Sequence, residues 1–485
     1  MAVALRHPDR LFIGGEWVAP LDGEPIDVIS PDSEEVVFTV AGAGVRDMDR
    51  AVQSAREAFD NGPWPTMAPA QRADILGKLT AALERREAEL AEAWSMQIGG
   101  LSFLAGPMVG AGTQHLRDAV KLGDTFEFEK RAETNVAAQA RIIYDPVGVV
   151  AAITPWNVPY MLMTSKLAPA LLAGCTVIMK PSPETPLEAY IIAECAEEAG
   201  VPAGVINLVP SQREAADHLM RNPAVDKIAF TGSTAVGRQI AQVCGESVRR
   251  CTLELGGKSA VIVLDDMADE EVAKVLTGTI TMLSGQICAM LSRAIVPRHR
   301  YDGIAKAIAA EMKNVKIGRS DDPDTQMGPI ATRRQLERVE SYVAAGVAEG
   351  ATIVTGGKRP DQFDKGVFFE PTLFTDVTND MKIAREEIFG PVLCLIASDD
   401  TDHAIRIAND SIYGLNASVL THDSKAAYAI ARRLRAGNFA QNGLRTDFSL
   451  PMGGYKQSGI GREGGELGLM NYVEVKTVLL DAEDA

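Results

Sequence analysis

In the stretch SGQICAMLSR, Ser284 to Arg293, one cysteine, Cys288, stands behind a glycine and a glutamine with apolar residues on both sides. Such a cysteine is either a small buried hydrophobe or, as its thiolate, a nucleophile. In LELGGKS (253–259), Glu254 lies in an otherwise apolar run beside two glycines. A carboxylate there is costly unless it faces a cavity, and the same desolvation raises its pKa toward that of a general base. In TPWNVP (154–159), Asn157 sits in a loop stiffened by a proline on either side. Asparagine in a loop is usually turn chemistry, but a rigidly held amide N–H2 can also stabilise an oxyanion.

Four further segments carry usable groups. KPSPETP (180–186) ends an apolar run with Lys180 and a proline-rich bend. FTGSTAVG (230–237) is a glycine-bounded turn opening a helix, where free N–H groups favour phosphate. EEIFGPV (386–392) and PMGGYKQSGIGRE (451–463) are loops shaped by glycine and proline and rich in charge. Taken singly, each suits a purely structural role.

The elements that must position these groups follow from periodicity. LFIGGEWV (11–18) predicts a hairpin turning at Gly14-Gly15. Met48, Ala51, Val52, Ala55 and Phe59 recur at helical spacing and predict a helix over 46–61; one longer amphipathic helix is expected over 69–96. From 147 onward, short apolar runs at 147–154, 175–180, 204–209, 226–230 and 259–264 alternate with helical stretches near 165–172, 186–199, 212–221 and 234–246. Strands apolar on both faces, separated by helices, indicate a mostly parallel sheet covered on both sides. A dinucleotide is the usual ligand of such a sheet, bound outside its carboxyl edge. A second alternating region, about 257–450, contains Cys288 and strands near 294–296, 392–396 and 418–420.

With 485 residues the chain is long enough for two to four domains, and 46% hydrophobic with 23% charged residues is ordinary for a globular protein. A net charge of −17 argues against nucleic acid or an anionic membrane surface as partner. No run reaches the roughly 20 apolar residues of a membrane helix, and the N-terminus has no secretory pattern. The six cysteines form no CxxC pair and read as free thiols of a cytoplasmic protein; the six histidines are scattered, so no metal site is expected.

Together and in this order, PWN, K-P, F-T-G-S-T-x-x-G, E-L-G-G-K, G-Q-x-C, E-E-I-F-G-P and G-G-x-K-x-S-G-x-G-R-E resemble the NAD(P)-dependent aldehyde dehydrogenase superfamily over essentially the full chain. The resemblance implies an α/β fold with three parts. These are a Rossmann-like dinucleotide-binding domain (1–127 and 147–256), an α/β catalytic domain (257–457), and a small β oligomerisation module from 128–146 and 458–485. It implies Cys288 as nucleophile, Asn157 with the Cys288 N–H as oxyanion donors, Glu254 as the base that hydrolyses the thioester, and Lys166 with Glu463 as a proton relay. For the coenzyme it implies Thr154, Trp156, Lys180, Gly232, Ser233, Leu255, Gly256, Glu387 and Phe389.

By position, the substrate pocket would draw on Val158, Met161, Leu162, Ser165, Ile287, Ala289, Arg445, Thr446 and Met452. Nearly all are apolar or small, and Ser165 stands where relatives often have a large aromatic. The expected substrate is an apolar aldehyde: aromatic, terpenoid or medium-chain. Arg445 supports the alternative of a semialdehyde whose carboxylate it would bind. A cofactor-independent cysteine esterase and a non-catalytic binding protein are the rival classes. Many NAD-preferring relatives carry glutamate three residues after the lysine; here that residue is Pro183, with Glu184 next to it. NAD is therefore expected as the main acceptor, with NADP tolerated. The alternating segments 128–146 and 471–480 suit strands that pair across subunits, giving a homodimer at minimum and a homotetramer as the expected state.

Overall fold

The computed structural model describes residues 3–482. An eight-stranded sheet runs in the order Gly459–Ile460, Arg250–Glu254, Lys227–Thr231, Val149–Ile153, Thr176–Lys180, Ile206–Leu208, Leu11–Ile13, Glu16–Val18. The five from Arg250–Glu254 to Ile206–Leu208 are parallel. All residues of the three central strands are buried, as their unbroken apolar runs require. The terminal hairpin closes one edge antiparallel, turning at Gly14 and Gly15 with positive φ. The helices Pro159–Ala173, Leu187–Glu198, Arg213–Arg221 and Thr234–Glu246 connect the parallel strands.

A seven-stranded sheet holds Thr352–Thr355, Thr372–Thr375, Val392–Ser398, Leu291–Pro297, Ser259–Val263, Asn416–Leu420 and Asn438–Gln441 in that spatial order. Ser259–Val263, one of the alternating apolar runs that begin at 147, thus belongs to this second sheet. The loop Leu255–Lys258 carries the chain from one sheet to the other, and its glycine pair lies between them.

Val473–Leu480 pairs antiparallel along its whole length with Gln139–Pro146, whose other edge takes Glu129–Ala132. Gly459–Ile460 instead joins the large sheet beside Arg250–Glu254. Among the described residues of 458–485, only Val473–Leu480 therefore lies in this outlying ribbon.

One expectation about helices needs correction, and one helix has no counterpart in the sequence pattern. The single helix over 69–96 is two, Pro69–Arg85 and Glu87–Ile98, broken at Arg86, whose ψ of 16° is not helical. The Arg86 guanidinium bonds Glu89 and Glu194, so a tertiary ion pair holds the break. The 24-residue helix Ser102–Thr125 was not expected at all. Four glycines and an internal proline blur its period, and packing against Pro159–Ala173 and Pro69–Arg85 sustains it. Among the described residues no helix is long and apolar enough to cross a membrane.

Candidate active site

The coenzyme side is built from strand ends. Thr154, Lys180, Gly232-Ser233 and Leu255-Gly256 sit at the carboxyl ends of four adjacent parallel strands, Val149–Ile153, Thr176–Lys180, Lys227–Thr231 and Arg250–Glu254. Backbone bonds knit these ends: Thr154 N donates to Lys180 O at 3.2 Å, and Gly232 N to Glu254 O at 3.0 Å. Ser233 caps the helix Thr234–Glu246, its Oγ accepting from Val236 N, so the first turn presents N–H groups at the sheet edge.

The neighbouring Gly256 and Gly257 are required by close approach. A Cβ on Gly256 would lie 2.3 Å from Glu387 Oε2, and one on Gly257 would lie 2.5 Å from Cys288 O. Gly257 N donates to Glu387 Oε1 at 3.1 Å. Trp156 and Phe389 meet edge to face, centroids 5.4 Å apart, which brings the loop after Ile153 against the 386–392 loop. Phe389 is held at φ 63°, left-handed backbone that a side chain adopts only under constraint. Burial draws the Lys180 ammonium down to about 8, Glu184 opposing, and pushes the Glu387 carboxyl up to about 7. Glu184 bonds Ser182 Oγ and lies 3.3 Å from Arg334 Nη2.

The nucleophile segment is shaped by an unusual backbone. Leu283, Ser284 and Gly285 take φ of 47°, 52° and 74° in succession, turning the chain sharply after the helix Asp269–Thr281. Three contacts stabilise the turn. Ser284 Oγ donates to Gly328 O at 2.7 Å, Gln286 Nε2 donates to Leu283 O at 2.9 Å, and Gln286 Oε1 accepts from Ala331 N at 2.9 Å. Asn157 Nδ2 donates one hydrogen to Gln286 O at 3.0 Å, leaving its second free; Trp94 Nε1 holds the Asn157 carbonyl at 3.2 Å. The glutamine two residues before the cysteine is thus the brace of the loop, and the 94–157 bond is a support that pattern reasoning missed.

Burial, then the Glu387 and Glu254 carboxylates, push the Cys288 thiol up to about 12 against the backbone N–H groups of Ala289 and Cys288. Both oxygens of Glu254 are buried without a hydrogen-bond partner. Burial and the nearby Glu463 carboxylate raise it well above the usual range; Lys166 and Arg462 pull the other way. Behind it, Glu463 Oε1 takes Lys166 Nζ at 2.6 Å, its Oε2 takes Ser165 Oγ at 2.9 Å, and Lys166 Nζ also reaches Thr231 Oγ1 at 2.5 Å. Ser165 therefore turns its hydroxyl to Glu463.

Of the expected pocket residues, Val158, Met161, Leu162 and Ile287 join one apolar cluster with Trp94, Met108, Ala111 and Phe448, while Ala289 and Met452 pack with Cys288 in an adjoining one. Met108 and Ala111 come from the unexpected helix Ser102–Thr125. Arg445 and Thr446 stand exposed on the loop before Pro451, outside both clusters. Among the described residues no group of three His, Cys, Asp or Glu side chains could hold a metal.

A partly buried thiol, a buried unpaired carboxylate and a free amide hydrogen thus stand beside a dinucleotide-type sheet edge, groups suited to nucleophilic catalysis next to a bound dinucleotide. The family described as "Aldehyde dehydrogenase family" matches residues 17–478, and this chain belongs to it. It is 42% identical over 472 residues to geranial dehydrogenase of Castellaniella defragrans, covering 97% of this chain and 98% of that one. It is 39% identical to 3-succinoylsemialdehyde-pyridine dehydrogenase of a Pseudomonas species, covering 98% and 99%. A Mycobacterium tuberculosis aldehyde dehydrogenase complexed with NAD+ superposes with a TM-score of 0.94 at 41% identity, covering 97% of this chain and 98% of that one. A mutant aldehyde dehydrogenase C from Pseudomonas syringae, complexed with NAD+ and octanal, gives 0.94 at 39%, covering 100% and 99%. The protein is an aldehyde dehydrogenase, and NAD is its cofactor. The glycine at 256, which leaves room for the Glu387 carboxylate, and the N–H-bearing turn at Ser233 fit that dinucleotide.

Proposed function

We propose that this enzyme oxidises an apolar aldehyde, terpenoid, aromatic or medium-chain, to the free carboxylic acid, with Cys288 as nucleophile and Glu254 as base. The observation that carries the reading is the wall around Cys288. Its side chain packs in the cluster of Ala289, Leu415 and Met452, which shares Ile287 and Phe448 with the cluster of Val158, Met161 and Leu162. Apolar surface of this kind is worth about 25 cal/mol per Å² to a ligand that covers it and offers nothing to a charged one. Geranial and octanal, named for two of the relatives, are both apolar aldehydes.

Cys288 Sγ adds to the aldehyde carbon as Glu254 receives the thiol proton. The resulting oxyanion accepts from the free hydrogen of Asn157 Nδ2 and from the Cys288 N–H. Bound NAD+ supplies the acceptor for the hydride that leaves this carbon. Thr154, Trp156, Lys180, Gly232, Ser233, Leu255, Gly256, Glu387 and Phe389 would hold it, with Glu387 as the acceptor for the nicotinamide ribose. Glu254 then removes a proton from the water that cleaves the Cys288 thioester, and the Lys166–Glu463 pair carries that proton away.

The reading is tested by following NADH absorbance with a panel of aldehydes. Geranial, octanal or benzaldehyde should exceed short semialdehydes in kcat/KM by tenfold or more, about 1.4 kcal/mol of transition-state discrimination. The reverse order would favour a semialdehyde dehydrogenase that binds carboxylate through Arg445, the reading that the 39% identical semialdehyde enzyme supports. With Pro183 in place of a ribose-binding glutamate, NADP meets no carboxylate at that position and serves as a weaker second acceptor. The ribbon of 129–146 and 473–480 pairs subunits into a homodimer or homotetramer, and the enzyme works in the cytoplasm.

A further inference from the structure

Ser165 and Lys166, successive residues of the helix Pro159–Ala173, meet Glu463 in a buried contact. The Glu463 backbone is pinned: its N–H donates to Met452 O at 2.8 Å, and its carbonyl accepts from Met452 N at 2.7 Å. A Cβ on the next residue, Gly453, would lie 2.6 Å from Glu254 Oε1, which places the base beside this pinned segment. Thr231, which receives Lys166 Nζ, is also the register partner of Glu254 in the adjacent parallel strand. Each Glu463 oxygen has one partner: Oε1 accepts from Lys166 Nζ at 2.6 Å, and Oε2 lies 2.9 Å from Ser165 Oγ. Among the described residues this carboxyl has no other hydrogen-bond partner. Of the nearby titratable groups, His115 Nδ1 lies 3.1 Å from Thr164 Oγ1, Lys227 Nζ donates to Thr252 Oγ1, and Tyr472 Oη has no partner.

The two oxygens are not equivalent. A lysine ammonium has donors and no acceptor, so a proton on Oε1 would break the bond to Lys166. A proton that reaches Glu463 therefore belongs on Oε2, the oxygen facing Ser165. A serine hydroxyl carries one hydrogen and can also accept. Ser165 Oγ lies 2.9 Å from two acceptors at once, Glu463 Oε2 and the Leu162 carbonyl of the preceding helical turn. One hydrogen cannot serve both. With Glu463 ionised it points to Oε2. With Glu463 protonated, the acid donates to Oγ and the hydroxyl hydrogen turns to Leu162 O. Both states are hydrogen-bonded, and they differ by a rotation about one bond.

We propose that Ser165 is a positioning residue for thioester hydrolysis: by turning from donor to acceptor at Oε2, it lets Glu463 take up the proton that Glu254 must lose before it can activate water. The proposal rests on the Lys166–Glu463 relay of the proposed function. Glu254 holds the thiol proton once Cys288 has been acylated. That proton leaves its Glu254 oxygen and bonds to Glu463 Oε2, while the Ser165 hydrogen swings to Leu162 O. Release of the proton to solvent reverses the swing, and no other group changes. An alanine at 165 leaves Oε2 without a partner in either state, and a buried polar atom without a partner is costly.

The experiment mixes enzyme and NAD+ with less octanal than enzyme. Stopped flow follows NADH, and rapid quench with intact-protein mass follows the octanoyl group on the chain. In Ser165→Ala the octanoyl adduct should decay about tenfold more slowly than in the native enzyme, the size of one lost hydrogen bond to a charged group, while the NADH burst before it changes less than about twofold. Ser165→Thr, which keeps a hydroxyl at the same helical position, should restore fast decay. Ser165→Ala combined with Glu463→Gln should decay no more slowly than Glu463→Gln alone, because the hydroxyl acts only through that carboxyl. The double variant decides the matter even where the threonine methyl does not fit. Native-like decay in Ser165→Ala, equal slowing of burst and decay, or slowing that adds to that of Glu463→Gln would overturn the role of Ser165. Native-like decay in Glu463→Gln would overturn the relay itself instead.

Discussion

Cys288 rests as a neutral thiol. A cysteine pushed up to about 12 has almost no thiolate at pH 7, so attack on a carbonyl depends on proton removal in the same event. Glu254, unpaired and raised by burial, is the buried carboxylate whose charge reaches the thiol and which has a vacant acceptor. Two expectations follow. Alkylation of the NAD-free enzyme by iodoacetamide should be slow at neutral pH and accelerate as pH rises. Glu387→Gln, which removes the largest carboxylate contribution to the upward shift, should speed alkylation at pH 8.5. Equal rates in the two proteins would contradict this electrostatic account. Glu254→Gln should slow the NADH burst as well as the steady state by about 10² to 10⁴, because the thiol and the hydrolytic water lose the same base. A stopped-flow burst of one equivalent at the native rate would show that another group takes the thiol proton.

At the scale of elements, a short loop and a glycine pair place the chemistry. The turn at 283–285 needs three consecutive left-handed residues, of which only Gly285 tolerates that backbone freely. A Cβ on Gly285 would also lie 2.1 Å from the Gly390 carbonyl oxygen, so the nucleophile loop and the loop carrying Glu387 are packed backbone to backbone. Gly285→Ala should lower Tm and reduce kcat at least a hundredfold, because both loops must shift; thermal melts and NADH rates check it. On the far side of the site, Lys166 bridges Glu463 and Thr231, tying the C-terminal segment to the central sheet. Lys166→Met removes the cation in contact with Glu463 and leaves two buried carboxyl groups as neighbours, so it should destabilise the protein by about 3–5 kcal/mol, measured by urea denaturation.

The whole molecule leaves one surface unfinished. The ribbon of Glu129–Ala132, Gln139–Pro146 and Val473–Leu480 exposes Val475 at 56% and Leu479 at 51%, and its outer strands have free edges. Such edges are hazardous on a monomer and suit pairing with a second copy. Light scattering at micromolar concentration should report a dimer or tetramer, and Val475→Lys should shift it toward monomer. A native monomer would refute the assembly.

Much of this was legible in the residues alone. Alternating apolar runs and helices place the central strands of both sheets within a few residues, because a strand buried on both faces must be apolar throughout, but the outer strands Thr352–Thr355, Thr372–Thr375 and Asn438–Gln441 carry no such run and were not expected. The motifs at 154–159, 253–259 and 284–293 carry glycine, proline and asparagine where the backbone turns or another chain segment approaches closely, and those are local demands. What only the tertiary structure decided is of longer range. The break at Arg86 depends on Glu194, more than a hundred residues away. The helix Ser102–Thr125, too glycine-rich to show a period, is made by packing and supplies Met108 and Ala111 to the pocket wall. The partners of Ser165 and the bracing role of Gln286 arise where segments far apart in sequence meet. Local pattern records what each segment needs from its own backbone and from water; which buried groups stand unpaired is settled only when the two sheets close on each other.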